Sequence, residues 1–266
     1  MNRPDGLTVP FPPAEAEALL DTFHREGFVL IPGVFSQAEC ATLRRLTDEA
    51  VADPAFAEKR GDWFVVRNAQ DYSIEFVKLF IREPIYSLVQ GILGPECRYC
   101  GQNVIRNGPG QAVSMWHVDD CNKLEHPLPP EIPRWPAGAR LPLIWLSVQV
   151  ALSDILAVED GPTEIVPGSH YSGRLVPGEN PVFEGRPAEP ILCRAGDIYL
   201  FNHMTWHRGM PNVGTKTRYL MQLQYARGDS LAFRCQVAEP TPTMDKLLVG
   251  ADPRLVHVMT GRAKYV

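Results

Sequence analysis

The sequence contains no apolar run that approaches 18 residues, the length of a membrane-spanning helix. Lysine and arginine form no dense stripe, and 26 basic residues against 31 acidic ones give a net charge of −5. This balance disfavours nucleic acid and anionic membrane surfaces as partners. The proline-containing start, MNRPDGLTVPFPP, does not resemble a secretory signal. We therefore expect a cytoplasmic protein with no membrane or nucleic-acid partner; no oligomeric state is predicted.

Several metal and redox motifs are also missing. The six cysteines are scattered, and Cys97 and Cys100 form the only CxxC, which favours reduced, structural thiols. The sequence has no HExxH, which excludes the zincin type of zinc site. It has no His-x-His either, which argues against cupins with three histidine ligands. Any metal site must therefore be built from residues that lie apart in the sequence.

The 266 residues, 45% of them hydrophobic, are enough for one sizeable core. Near the start, periodicity and a capping-box pattern predict helices over 13–26, 36–52 and 84–92, with a short strand in 28–35. After residue 95 the pattern changes to short strands, predicted near 99–106, 112–119, 143–152, 191–194, 198–202 and 217–226. No repeat or linker divides the chain. We expect a single domain, 1–266, that is mainly β, with helices packed outside a β core of about 95–228.

Two long stretches between these strands are predicted to be irregular. Residues 127–142 contain six prolines, which are incompatible with a regular helix or a central strand. Residues 167–190 have a similar composition. Long loops in a compact domain often form lids or binding walls, so we expect 120–142 and 167–190 to shape a cavity. The cationic and aromatic residues that could contact a ligand there are Lys123, Arg134, Trp135 and Arg174.

The run SMWHVDD, 114–120, places a histidine and a carboxylate two residues apart. In a strand, His117 and Asp119 would point to the same face. Burying an ionised carboxylate is costly unless a positive partner is present, and a metal ion is one such partner. A simple hydrogen bond between the two side chains, or an exposed edge strand, would explain the same pattern.

A third ligand could come from the later segment YLFNHMTWHRGMPN, which contains His203 and His207. Both are candidates, and either could instead be an ordinary packed histidine. Two imidazoles and one carboxylate on one side of a metal are typical of non-haem Fe(II) oxygenases, because the other side stays open. Zinc accepts the same ligands, so the residue types alone leave the metal undecided.

Arg218 follows His207 by 11 residues, in the alternating segment TRYLMQLQY. A guanidinium inside a barrel is costly unless it binds an anion, ideally in a bidentate way. A dicarboxylate that chelates a metal at one end would present such an anion at the other. The alternative is that Arg218 is a surface residue on an edge strand.

With these segments in order, the chain resembles the phytanoyl-CoA dioxygenase family of Fe(II)- and 2-oxoglutarate-dependent oxygenases. The resemblance extends from about residue 20 to 228. It begins with FHREGFVLIPGVFSQAEC and continues in AQDYSIEFVKLFIREPIYSLVQGILGP. The segments WHVDD, DGPTEIVPGSH, AGDIYLFNHMTWHRGMPN and TRYLMQLQY then match the family's metal, glycine-led, second metal and arginine strands.

The resemblance implies a double-stranded β-helix, a jelly-roll core of the cupin type, with flanking N-terminal helices. It selects His207 over His203 and so implies an iron site of His117, Asp119 and His207. It also implies that 2-oxoglutarate contacts Arg218, Trp145, Thr163 and Asn103. Many relatives carry glutamine where this chain has Ser114, so the contacts to the inner carboxylate of 2-oxoglutarate are not implied.

The expected activity is an oxidation that uses Fe(II), 2-oxoglutarate and O2. Relatives that halogenate replace the metal carboxylate with a small residue, and Asp119 stands there in this chain. We therefore expect hydroxylation of an aliphatic carbon in a small molecule, with release of succinate and CO2. The alternatives are desaturation, epimerisation or ring formation at the same iron, and a non-catalytic jelly-roll binding protein. The substrate is not predicted.

Overall fold

A computed structural model describes residues 6–61, 63–110, 114–119, 126–229 and 242–260. Its strands are β1 Phe28–Ile31, β2 Ala57–Arg60, β3 Trp63–Arg67, β4 Arg98–Asn107, β5 Trp145–Ala151, β6 Thr163–Ile165, β7 Val182–Phe183, β8 Arg186–Pro187, β9 Glu189–Pro190, β10 Ile198–Phe201, β11 His207–Gly209 and β12 Arg218–Ala226. Its helices are α1 Pro13–Glu26, α2 Gln37–Val51, α3 Ile74–Val77, α4 Ile85–Leu93, α5 Pro242–Leu247 and α6 Pro253–Thr260.

The strands form one large and two small antiparallel sheets. The main sheet has the order β1-β10-β5-β12-β4-β3-β2, and a three-stranded sheet has the order β11-β6-β9. The third is the β7-β8 ribbon. Residues of the main and the three-stranded sheet line a common cavity. The predicted class, mainly β with a jelly-roll core and N-terminal helices, is confirmed.

Strand β12 shows how the main sheet separates two environments. Met221 and Leu223 belong to the large apolar core that the sheet forms with the helices. Residues Arg218, Leu220, Gln222 and Gln224 alternate with them and line the cavity on the other face. The alternation in the sequence therefore marks which side chains reach the cavity. Members of the apolar core from other elements include Phe23, Leu43, Phe80, Val89, Val148 and Val150.

The first two helices begin and end as the sequence predicts. Helix α1 ends at Gly27, whose φ of 79° is readily adopted only by glycine. Helix α2 begins with a complete capping box. The Glu39 amide donates to Ser36 Oγ (3.2 Å), and the Ser36 amide donates to Glu39 Oε2 (2.8 Å). Strand β1, between these helices, pairs with β10 and forms one edge of the main sheet.

Other predicted elements differ from the structure. In the described residues of 112–119, only His117 forms a β-bridge, and in 191–194 only Cys193 does. The stretch 167–190 is more regular than expected, because it contains a 3-10 helix, Ser169–Ser172, and the strands β7 to β9. Local patterns did not predict β2, β3, α3, α5 or α6, and only the family resemblance indicated β6 and β11. Strands of two or three residues are too short to produce a recognisable periodicity.

The proline-rich segment 127–142 has no regular structure, as expected, but many contacts hold it in place. Arg174 donates to the carbonyls of Ile132 (2.7 Å), Pro133 (2.9 Å) and Pro129 (3.1 Å). The Trp135 amide donates to the Tyr171 carbonyl (2.8 Å). The hydrogen bonds of the Arg174 side chain therefore hold this loop in place.

The two cysteines of the CxxC pair are not disulfide-bonded to each other. Cys97 is a buried free thiol, and burial raises its pKa to about 11, which makes it unreactive at neutral pH. Cys100 is disulfide-bonded, so the expectation of reduced thiols is wrong for this residue. In the part of the chain that the structure describes, every helix is too short or too polar to cross a bilayer.

The capping box gives a stability prediction. Replacing Ser36 with alanine removes the acceptor for the Glu39 amide, so we expect the free energy of unfolding to fall by about 1 kcal/mol. The urea midpoint measures this change. Thr42→Ala is the control, because the exposed Thr42 hydroxyl bonds only to the Ala38 carbonyl of its own helix. Equal losses in the two variants would contradict the role of the cap.

Candidate metal centre

Two chain segments bring the predicted ligands together. The His117 amide donates to the His207 carbonyl (2.9 Å), and the His207 amide donates to the His117 carbonyl (3.0 Å). The Asp119 amide donates to the His203 carbonyl (2.9 Å). This antiparallel bridge joins the 114–119 segment to β11, which itself pairs with β6. Backbone pairing thus fixes the spacing of the candidate ligands before any metal binds.

The side chains of His117, Asp119 and His207 converge. One candidate ligand atom from each lies within 4.8 Å of the other two. Each imidazole Nε2 is 3.6 Å from Asp119 Oδ1. The Nδ1 atoms lie near the carbonyls of Met115 (2.7 Å) and Thr205 (2.8 Å). A proton on Nδ1 satisfies each carbonyl and leaves the Nε2 lone pair facing the shared centre.

The electrostatics of the cluster favour a charged carboxylate. Burial opposes ionisation of Asp119, but His207 and His117 outweigh burial and hold the pKa of the carboxyl group below its usual range. Burial likewise opposes protonation of His117, while Asp119 raises the pKa of that imidazole above its ordinary value. The anion and two nitrogen donors form a set that suits a divalent transition metal.

His203 lies outside this cluster. It is fully buried, and its ring stacks on Trp145 with the centroids 4.9 Å apart and the planes at 26°. Its carbonyl, rather than its imidazole, serves the site by accepting from the Asp119 amide. The residue patterns left His203 and His207 as equal candidates, and the geometry brings only His207 to the other two ligand atoms.

Arg218 lies at the cavity that the cluster also lines, a space of about 200 Å³. Its side chain is buried, and burial lowers the pKa of the guanidinium while Tyr199 and Cys193 oppose this shift. Nη1 donates to the Gly161 carbonyl, and Nε has no partner in the part of the chain that the structure describes. A buried cation with a free donor and no carboxylate partner among the described residues suits an anionic ligand.

Gly161 allows this arrangement. Its φ is 71°, and a Cβ at this position would lie 2.8 Å from the backbone nitrogen of Asn212. Another residue would therefore be strained and would clash with the neighbouring backbone. Glycine at 161 keeps the carbonyl in place for Arg218.

The other predicted contacts divide into two groups. Thr163 lines the cavity, and its hydroxyl shares a hydrogen bond with the Tyr199 hydroxyl (2.7 Å). Trp145 and Asn103 are not among the lining residues. Asn103 instead donates from Nδ2 to Gln222 Oε1 (3.4 Å). Ser114, the departure from many relatives, lines the cavity and accepts from the Gly209 amide (2.8 Å).

Many of the residues that line the cavity were not predicted from the sequence. Neutral amides, hydroxyls and apolar groups complete it, namely Ile105, Ser147, Gln149, Phe201, Leu220, Gln222 and Gln224, together with Arg208 and Gly209. The period-two alternation of β5 and β12 could have found most of them. Of the loop residues suggested as ligand contacts, Arg134, Trp135 and Arg174 do not line this cavity. Arg174 fastens the loop, Arg134 pairs with Glu184, and Lys123 lies outside the described residues.

The family is established by a model described as phytanoyl-CoA dioxygenase (PhyH), which matches residues 23–220. The chain belongs to this family, and the resemblance stated from the sequence is confirmed. A curated relative is an uncharacterised protein of Mycobacterium tuberculosis, 30% identical over 69 residues. That match spans 26% of this chain and only 24% of the relative.

Solved structures share the fold. HygX from Streptomyces hygroscopicus with nickel and 2-oxoglutarate bound has a TM-score of 0.63 at 21% identity, covering 79% of this chain and 86% of HygX. The epimerase SnoN, solved with Fe3+, alpha ketoglutarate and nogalamycin RO, has a TM-score of 0.63 at 24% identity, over 81% and 84%. The carbocyclase SnoK from nogalamycin biosynthesis has a TM-score of 0.60 at 21% identity, over 82% and 87%.

The cluster predicts how metal binding depends on each side chain. His207→Ala and Asp119→Ala should each weaken Fe(II) binding at least a hundredfold, because loss of an outer partner alone typically costs 10- to 100-fold. Anaerobic equilibrium dialysis measures the affinity. His203→Ala is the control, because it removes a neighbouring buried imidazole outside the cluster. A loss in His203→Ala equal to that in His207→Ala would reject the assignment.

Proposed function

We propose that this protein is an Fe(II)- and 2-oxoglutarate-dependent dioxygenase whose iron is held by His117, Asp119 and His207. The observation that carries the proposal is the convergence of three ligand atoms within 4.8 Å on the wall of a cavity that also contains a buried, partly unpaired arginine. Two imidazoles and a carboxylate leave coordination positions open, as oxygenases require. Membership of the family and the iron and 2-oxoglutarate in its structural neighbours support the same activity.

Arg218 and Thr163 would bind 2-oxoglutarate. The distal carboxylate would pair with the guanidinium of Arg218, whose Nε is free, and the Thr163 hydroxyl lines the same cavity. A negative charge there would compensate a cation that burial otherwise disfavours. Trp145 and Asn103 do not line the cavity. Their contacts with 2-oxoglutarate therefore remain predictions that the cavity geometry does not support.

When bound, the iron with 2-oxoglutarate and O2 supplies the oxidation of a C–H bond, with release of succinate and CO2. The protein fixes the geometry. The Met115 and Thr205 carbonyls hold the two imidazoles by their Nδ1 atoms, so Nε2 stays directed at the metal position. Phe201 and Leu220 supply apolar surface to the lining and exclude water from that part of the cavity.

We expect hydroxylation of an aliphatic carbon in a small molecule as the outcome. Epimerisation or ring closure at the same site is the second candidate, because the structural neighbours include an epimerase, SnoN, and a carbocyclase, SnoK. A non-catalytic binding protein would not need three convergent ligands and a buried arginine. The mass of the product separates the outcomes: one added oxygen for hydroxylation, two lost hydrogens for ring closure or desaturation, and no change for epimerisation.

We further propose that residues 1–266 form one dioxygenase domain, with the metal-bearing core in about 95–228. The main sheet supports this, since it joins β1 from the N-terminal part to β10 and β12 of the core. The partner would be a small molecule. A cytoplasmic location and the absence of nucleic-acid binding remain predictions from composition and charge.

The function gives a test at Arg218. Arg218→Ala should raise the KM for 2-oxoglutarate about thirtyfold or more, because truncating one partner of a buried charge pair costs about 2–5 kcal/mol. Arg218→Lys should recover only part of the affinity, since an ammonium lacks the planar fork. Succinate formation at varied 2-oxoglutarate is the measurement.

Arg106→Ala serves as the control for this test. Arg106 lies on β4 of the same sheet, but it pairs with Asp48 (2.7 Å) away from the cavity, so its loss should leave the KM for 2-oxoglutarate unchanged. An unchanged KM in Arg218→Ala would refute the anchoring role.

A further inference from the structure

Side-chain amides from three neighbouring strands lie in one row on the inner face of the main sheet. Gln222 of β12 stands in register with Asn103 of β4 on one side and with Gln149 of β5 on the other. In the next row, Gln224 stands opposite Ser147. All of these except Asn103 line the cavity that the three candidate metal ligands also line. We refer to Asn103, Gln149 and Gln222 as the amide row.

The amide row is only partly satisfied by the protein itself. Gln149 donates from Nε2 to Ser147 Oγ (2.8 Å), and Asn103 donates from Nδ2 to Gln222 Oε1 (3.4 Å). Gln149 is 2% exposed, and its Oε1 has no hydrogen-bond partner among the described residues. Turning this amide over would leave Nε2 without a partner instead. Gln149 lines the cavity, and buried polar groups in proteins are almost always paired, so an unpaired amide next to this cavity points to a ligand.

Among the described lining residues, each ionised side chain already has a partner or a proposed role. Asp119 lies between the two imidazoles. Arg208 pairs through Nε with Glu164 (2.6 Å). Arg218 is the proposed anchor of 2-oxoglutarate. The amide row beside the candidate metal ligands is therefore a neutral surface that offers hydrogen bonds.

We propose that Gln149 and Gln222 recognise hydroxyl groups of an uncharged substrate, such as a glycoside or a cyclic polyol, and that Asn103 positions Gln222. This inference rests on the proposed function, because it takes the cavity beside the candidate metal ligands as the reaction site. A hydroxyl both donates and accepts, so it satisfies Gln149 in either orientation of the amide.

Two other substrate classes fit the amide row poorly. An acyl chain has no hydrogen-bonding group and would leave the amide of Gln149 buried without a partner. A carboxylate or ammonium group would face the neutral amide row and find no counter-ion in it. The amide row therefore selects against both fatty acyl thioesters and amino acids.

The experiment uses the full-length protein loaded with Fe(II) and 2-oxoglutarate, and it measures succinate formation stimulated by a fixed set of probes. Neutral probes are methyl glycosides and cyclitols. Each glycoside is matched by its uronic acid and its amino sugar, which keep the ring but add a charge. Fatty acyl thioesters and free amino acids complete the set. We expect the neutral hydroxylated probes to stimulate most strongly.

Variants connect the response to the amide row. In Gln149→Leu, the concentration of neutral probe that gives half-maximal stimulation should rise about tenfold, the value of one hydrogen bond. Gln102→Leu is the control, because Gln102 is a buried glutamine of β4 that faces the helices and donates to the Phe76 carbonyl. Gln222→Leu, at a half-buried position, gives a second test if Gln149→Leu does not fold.

Each outcome is decisive. Stronger stimulation by charged or acyl probes, no response to any neutral hydroxylated probe, or equal responses of Gln149→Leu and wild type would overturn the proposal. A raised KM for 2-oxoglutarate in Gln149→Leu with an unchanged probe response would also overturn it, by placing the amide on the co-substrate. The visible absorption band of wild type with Fe(II) and 2-oxoglutarate, recorded without oxygen, separates the two proposals: its absence rejects the proposed function itself.

Discussion

The Asp119 carboxylate lies between two imidazoles whose Nε2 atoms are each 3.6 Å away, and much of the architecture maintains this contact. A partly buried anion needs positive charge or strong hydrogen bonds close by. The backbone bridge between His117 and His207 fixes the distance between the two rings. The carbonyls at Nδ1 fix their orientation. β pairing therefore organises the candidate ligand set.

A second charge constraint organises the rest of the cavity. Arg218 is buried at the start of β12, held by the Gly161 carbonyl and left with one free donor. The candidate metal ligands and Arg218 together mark two ends that a dicarboxylate could bridge. The remaining polar wall, with Gln149 and Gln222, is neutral. The separation of charged ends from a neutral wall distinguishes the groups that hold a co-substrate from those that can select a substrate.

Much of this could be predicted from the sequence. The capping box at Ser36, the alternation in β12 and the order of the motif-bearing segments depend on local patterns, and these carry over directly to the structure. The choice between His203 and His207 could not be made from residue types. It depends on which ring faces inward at the bridge, and only the family resemblance indicated it.

Other features depend on contacts that are distant in sequence. Strands β6 and β11 have three residues each and exist because they pair with each other. The amide row requires the register of three strands, which one-dimensional alternation does not specify. Cys100 is disulfide-bonded, although the spacing of the CxxC favoured reduced thiols. Local patterns thus predicted many of the elements and the types of candidate ligands, while packing determined the lining of the cavity.

We propose that His117, Asp119 and His207 ligate one iron ion. Anomalous diffraction at the iron edge, on crystals grown without oxygen with Fe(II) and 2-oxoglutarate, locates such an ion. We expect a single strong peak about 2 Å from His117 Nε2, His207 Nε2 and an Asp119 oxygen, typical of metal–ligand bonds, with a carboxylate of 2-oxoglutarate on Arg218. A peak ligated by His203, or no peak between these three side chains, would contradict it.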